Sequence, residues 1–115
     1  MIVKFFTQIG CAVQTTSQGY RKEKGGTRMS PGIPDLIVWL PSGKQGWFEV
    51  KTDDGLALWA KLVDKPEHAV AKSQRDNWKR IQGQAAFARR CIDGGIPYGR
   101  GTLTDAHAWA QAKFP

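Results

Sequence analysis

The chain has little of what several common sites are built from. Among its 115 residues there are only two cysteines and two histidines. Cys11 and Cys91 do not form a spacing used by metal sites, and both read as small, largely buried residues. His68 and His107 are each isolated, so neither reads as a zinc ligand or as one of a paired set of bases. No apolar stretch approaches the ~20 residues of a membrane span. There is no charged-then-apolar leader with a cleavage site, so the expected location is cytoplasmic, in a virus-infected or ordinary cell, with no membrane partner. Glycine-rich stretches lack the Gly-Lys-Ser/Thr ending and following helix of a P-loop, and internal repeats are absent. Acidic residues are scarce. Ten Asp and Glu stand against seventeen Lys and Arg, a formal charge of +7. Such an excess suits a polyanionic partner, and nucleic acid is favoured over membrane because no basic amphipathic segment stands out as an anchor. Hydrophobic residues make up 41%, enough for one modest core and one domain over residues 1–115.

What is present is concentrated in residues 32–51. Residues 36–40, Leu-Ile-Val-Trp-Leu, are an unbroken apolar run of strand length. Pro41, Ser42, Gly43 and Gly46 mark a reversal, and Trp-Phe-Glu-Val-Lys follows at 47–51. Side chains alternate along a strand, so Trp47, Glu49 and Lys51 share one face while Phe48 and Val50 share the other. Folding about the turn brings the start of the first strand, where Asp35 follows Pro34, towards Glu49 and Lys51. Two carboxylates and an ammonium at the edge of a buried hairpin are costly to desolvate singly. A divalent cation would account for them: Mg²⁺ is commonly held by one or two carboxylates, with water and substrate phosphate completing its shell. The lysine would suit a reaction in which negative charge develops nearby. The same spacing also fits an ordinary hairpin salt bridge.

Around the hairpin, Ile2, Val3, Phe5, Phe6 and Ile9 predict a short helix closed by Gly10, with a strand as the alternative, and residues 11–17 predict a strand. Residues 19–31 read as a loop carrying Arg21, Lys22, Lys24 and Arg28 against the single acid Glu23. It is either a solvated loop or an arm that contacts phosphates, and its position directly before Gly32-Ile33-Pro34-Asp35 favours the arm. Thr52 to Gly55 is a turn, in which Asp53 and Asp54 serve to cap or turn the chain rather than to bind metal. Residues 56–63 form a short helix or a strand, and their apolar side chains, Trp59 and Leu62 among them, make a candidate dimer contact or an added layer on the core. A long helix is expected from about Pro66 or Ala69 to Ile92, with Trp78, Ile81, Ala85, Ala88 and Ile92 as its inward stripe. Gln74 precedes Trp78 by one turn, either on that stripe or as a surface residue at its edge. Residues 96–103, weakened by Pro97, Gly99 and Gly101, predict an edge strand. Thr104 is the expected N-cap of a last helix over 105–113. The order predicts an α/β fold, a mixed β-sheet flanked by helices.

Pro34-Asp35, a turn, then Glu49-Val50-Lys51 resembles the PD-(D/E)XK nuclease signature, and the flanking Gly32-Ile33 with Gln74 further on narrows this to the VRR-NUC family. The resemblance runs from about Ile2 to about Trp109, and the chain is similar to small stand-alone phage and bacterial members. It implies a restriction-endonuclease-like core and a Mg²⁺- or Mn²⁺-dependent DNA endonuclease, selective for branched DNA in the manner of Holliday-junction resolvases, acting as a homodimer. It further implies that Asp35, Glu49 and the Val50 carbonyl hold the metal, that Lys51 stabilises charge or positions the nucleophile, and that Gln74 assists. An intracellular nuclease would keep both cysteines reduced. One departure stands out: relatives carry a Glu in the first helix, whereas residues 1–10 here hold no acid and offer only Gln8, as if the chain began partway through that helix. That departure supports an alternative, a branched-DNA-binding module that cleaves weakly or not at all.

Overall fold

The computed structural model describes residues 1–16 and 33–113. Four strands form one sheet in the order β1 (Ala12–Thr15), β2 (Leu36–Trp39), β3 (Gln45–Val50), β4 (Tyr98–Gly101). β1 and β2 run antiparallel, as do β2 and β3, while β3 and β4 are parallel. The sheet is therefore mixed, and β4 lies at its edge as its proline and glycines predict. A parallel pair needs a crossover. Here it is supplied by α2 (Asp53–Leu62), two short 3₁₀ turns (Glu67–Ala69 and Lys72–Gln74) and α3 (Arg75–Asp93). The chain opens with α1 (Ile2–Gln8) and closes its described part with α4 (Leu103–Lys113).

Period two sorts the sheet into two unlike faces. Leu36, Val38 and Phe48 are buried together with Ile2 and Phe6 of α1 and Ala106 and Trp109 of α4. Phe6 is fully buried and meets both Phe48 and Trp109 edge-on at 5.6 Å. Trp109 can lie this close to β4 because residue 99 is glycine: a Cβ there would come within 2.8 Å of both Phe48 and Trp109. On the opposite face Trp47 packs edge-on against Phe87 of α3, with ring centres 5.0 Å apart. Two long-range bonds tie α3 to the end of α2, Gln82 Nε2 to the Val63 carbonyl at 2.9 Å and Trp78 Nε1 to the Lys65 carbonyl at 2.8 Å. Helices thus cover both faces, one contact wholly apolar and the other partly polar.

Several expected boundaries move, for local reasons. The stretch 56–63 is helical and belongs to α2, which begins earlier, where the Thr52 hydroxyl accepts from the Gly55 N–H at 3.0 Å. Asp53 and Asp54 occupy its first turn, where their charge complements the helix dipole. α3 starts at Arg75 rather than near Pro66 or Ala69, because Val70 is anchored in the interior and it and Ala71 are extended. The inward stripe of α3 is Ile81, Gln84, Ala88 and Cys91; Ile92 is 68% exposed. α4 is capped two residues before Thr104: the Asp105 carboxylate accepts from the Thr102 N–H at 2.9 Å and the Thr102 carbonyl accepts from Ala106. Gly101, with φ at 142°, makes room for that carboxylate. Among the described residues no helix is long and apolar enough to cross a membrane.

Candidate active site

Asp35 is held by its backbone before its side chain does anything. Its carbonyl accepts from the Thr16 N–H at 2.8 Å, and the Thr16 hydroxyl donates to the Pro34 carbonyl at 2.6 Å, extending the β1–β2 pairing by one residue. Leu36 faces Phe48 across the hairpin, so one step further along the same register Asp35 faces Glu49. The carboxylate of Asp35 also accepts from the Val50 N–H at 3.0 Å. On the other flank, Glu49 is the parallel partner of Arg100 in β4. Asp35, Glu49 and Arg100 consequently form a row across three strands, with Glu49 in the middle.

Glu49 is only 4% exposed. Its Oε2 accepts from Gln84 Nε2 at 3.2 Å, whereas Oε1 is buried and has no hydrogen-bond partner among the described residues. Burial and then the neighbouring Asp35 push its pKa up to about 8, against the smaller opposing pull of Lys51 and Arg100. Lys51 donates from Nζ to Gln84 Oε1 at 2.9 Å and lies 5.5 Å above the Trp59 ring. Burial lowers its pKa, and Glu49 partly offsets that. One amide therefore donates to the acid and accepts from the ammonium. The guanidinium of Arg100 sits 3.8 Å from the centre of the Trp59 ring, so α2 closes over this end of the sheet through an aromatic–cation contact.

A carboxylate oxygen facing a second carboxylate with no donor between them is unstable as a pair of anions. It can be relieved in two ways, by a proton on Glu49 that bonds to Asp35 or by a cation between them. The donor chemistry fits a hard divalent cation: two carboxylates and the Val50 peptide carbonyl, all oxygen. Among the described residues no group of three His, Cys, Asp or Glu converges. Such a cation would therefore rest on Asp35 and Glu49 with the rest of its shell from that peptide, water and phosphate.

The structure brings together Asp35, Glu49, the Val50 backbone and Lys51, as the sequence predicts. It does not bring Gln74 to them. Gln74 ends a 3₁₀ turn ahead of α3, and its Oε1 accepts from Asn77 Nδ2 at 2.8 Å. The glutamine at the site is Gln84, which sits in phase with Ile81, Ala88 and Cys91. A polar residue on an apolar helical stripe was the available signal. Arg100 carried a fainter one, a charge between two glycines on a short strand. Arg21, Lys22, Lys24 and Arg28 lie outside the described residues. The apolar side chains of α2 are not an open patch: Leu62 is 2% exposed, and Leu56, Leu58 and Trp59 are half-buried. Both cysteines are free and buried. No protein-family model, no curated protein and no solved structure matches the chain.

Proposed function

We propose that the chain is a Mg²⁺- or Mn²⁺-dependent DNA endonuclease with a restriction-endonuclease-like core of the VRR-NUC type, acting on branched DNA as a homodimer. The observation that carries this reading is the buried Glu49 Oε1, without a partner among the described residues and beside Asp35, with Lys51 fixed alongside through Gln84. A divalent cation, when bound, supplies polarisation of the scissile phosphate and a more acidic water. Asp35 and Glu49 would hold it, with the Val50 peptide carbonyl as a further oxygen. Val50 holds the Asp35 carboxylate through its N–H, so the acid does not swing away in the absence of a ligand. Lys51 presents its ammonium to the charge that develops on phosphate, and Gln84 fixes its direction. Arg100 adds a second cation on the far side of Glu49. The basic residues Arg21, Lys22, Lys24 and Arg28 are proposed to contact backbone phosphates and, with the overall charge of +7, to carry the salt-sensitive part of binding. Two-fold symmetric branched DNA calls for two cuts, hence the dimer.

A second reading is favoured by two observations. α1 carries no acid, and burial with the neighbouring Asp35 pushes the Glu49 pKa up to about 8, which favours its protonated form when no cation is bound. On that reading the domain binds branched DNA and cleaves it poorly. The experiment that separates the two is a panel of labelled linear, flap, fork and four-way DNA, each with Mg²⁺, Mn²⁺ or chelator. The nuclease reading expects nicking of branched forms with either metal, none in chelator, and a dimer mass by light scattering with four-way DNA. Binding without nicking in every lane supports the module instead.

A further inference from the structure

A cleft of about 550 Å³ opens beside the row of charged residues, between α2, α3 and β4. Its volume is in the range of small-ligand sites. Trp59, Ala85, Arg89, Ile92, Tyr98 and Arg100 line it. Their chemistry is mixed in a particular way. Two guanidiniums are present, that of Arg89 on an exposed part of α3 and that of Arg100 against Trp59. Trp59 and Tyr98 bring two aromatic rings to the lining, and α3 brings the small Ala85 and the exposed Ile92 as an aliphatic wall. Asp93 on the same lining adds a single acceptor among these cations.

We infer that this cleft takes one unpaired nucleotide of a DNA strand, its base between the guanidinium plane of Arg100, which lies on Trp59, and the aliphatic wall of α3, and its phosphate on Arg89. Cations with flat apolar surface are the combination that binds single strands, since every base offers a π-face and every linkage a phosphate. Arginine planes serve for stacking as aromatic rings do. The carboxylate of Asp93 suits an exocyclic amino group, the donor that bases present on their edges. A base stacked inside a duplex cannot enter a cleft of this kind, so its occupant is unpaired. Continuity with the acidic pair places the cleft along the same strand: Arg100 is both a lining residue and the register partner of Glu49. The inference rests on the nuclease reading for its DNA partner and deepens it. It gives a physical source for selectivity, because a flap or a fork supplies an unpaired nucleotide next to a duplex and fully paired linear DNA does not.

The test uses the full chain in chelator, so that binding is read without cleavage. The probes are a short fluorescent duplex with one unpaired nucleotide and the same duplex fully paired, compared by anisotropy at fixed salt. The wild-type protein is expected to bind the unpaired probe about tenfold more tightly, the size of one base–aromatic stack. Ala85→Phe, which fills the cleft, should reduce that preference to about twofold or less while leaving the paired probe unchanged. Arg89→Glu, at an exposed position, should reduce it without unfolding the chain, with helicity and melting temperature checked for both variants. Equal wild-type affinity for the two probes, or a preference intact in both variants, overturns the cleft. Nicking of the same probes with Mn²⁺ is scored separately. Nicking without the preference removes the cleft and leaves the nuclease reading; the preference, lost in the variants but with no nicking, supports the cleft and removes the nuclease.

Discussion

Asp35→Asn should lower cleavage by at least about 10²-fold, or roughly 2.7 kcal/mol of transition-state stabilisation. The substitution is informative because it is nearly isosteric and leaves the local bonding in place. The side-chain oxygen of Asn can still accept from the Val50 N–H, which is bonded to Asp35 at 3.0 Å in the parent. The carbonyl that Thr16 holds is untouched. What disappears is one of two charges that would hold a cation. DNA binding in chelator should change little, since without a metal the acidic pair makes no attractive contact with phosphate and binding rests on the basic residues. Activity within a few-fold of the parent would remove Asp35 from the site. There is also an effect on Glu49. Asp35 is the second cause of its raised pKa, after burial, so the variant should bring Glu49 down towards the ordinary carboxylate range.

Glu49→Gln is expected to abolish cleavage to a similar extent while making the metal-free protein more stable at alkaline pH. The sign follows from linkage. The carboxyl has a pKa of about 8 in the folded chain against 4.5 for an unperturbed glutamate. The folded state therefore holds a proton that the unfolded state has already released, and raising the pH between those values costs stability. The loss is absent below the lower value and complete above the upper one. It is on the order of a few kcal/mol, since each unit of pKa difference is worth about 1.4 kcal/mol. The variant has no proton to lose, and its amide can accept from Gln84 and donate towards Asp35, the two groups already beside it. Melting curves should be close to parental near pH 5 and higher by about 5 °C or more near pH 9. A variant that melts below the parent at both pH values would mean that Glu49 contributes to the fold as a bonded acid and is not a strained one. The expected pattern, lower activity with higher stability, is the usual trade at a site whose charges are kept for chemistry.

The hairpin was legible in the sequence because three independent signals coincide there. An apolar run, a turn rich in Pro and Gly, and a period-two strand together fix both the pairing and the face of each residue. Glu49 and Lys51 had to lie on one side with Trp47, and Asp35 had to reach them once the turn closed. α1 and the edge position of β4 were legible for the same kind of reason. The glutamine was not. Phase along α3 is set by what the helix packs against, and a stripe drawn through Trp78 and Ile92 includes one residue that bonds at the helix edge and one that faces solvent. Extending that stripe back to Gln74 takes it to lie within the helix, whereas it ends a 3₁₀ turn and stands at the cap of α3 with a non-helical backbone. Gln84 is in phase with Ile81 and Ala88, and only the packing of α3 on the sheet turns that amide towards Glu49 and Lys51. That Arg100 and Trp59 meet the acidic pair was not legible in the sequence, beyond the faint signal of a charge between two glycines. They come to the acidic pair only through the parallel pairing of β3 with β4 and the packing of α2 above it, long-range facts with no local signature.

The claim at the centre of this account is that Asp35 and Glu49 hold a divalent cation in place of a proton. Uptake of Mn²⁺, followed by the electron paramagnetic resonance signal of the free ion in the presence of four-way DNA, tests it most directly. The wild-type protein should show saturable uptake that strengthens as pH rises towards about 8, because the ion displaces the Glu49 proton. Asp35→Asn and Glu49→Gln should each lose it. Uptake of equal strength in the parent and both variants, or none in any of them, would contradict the claim.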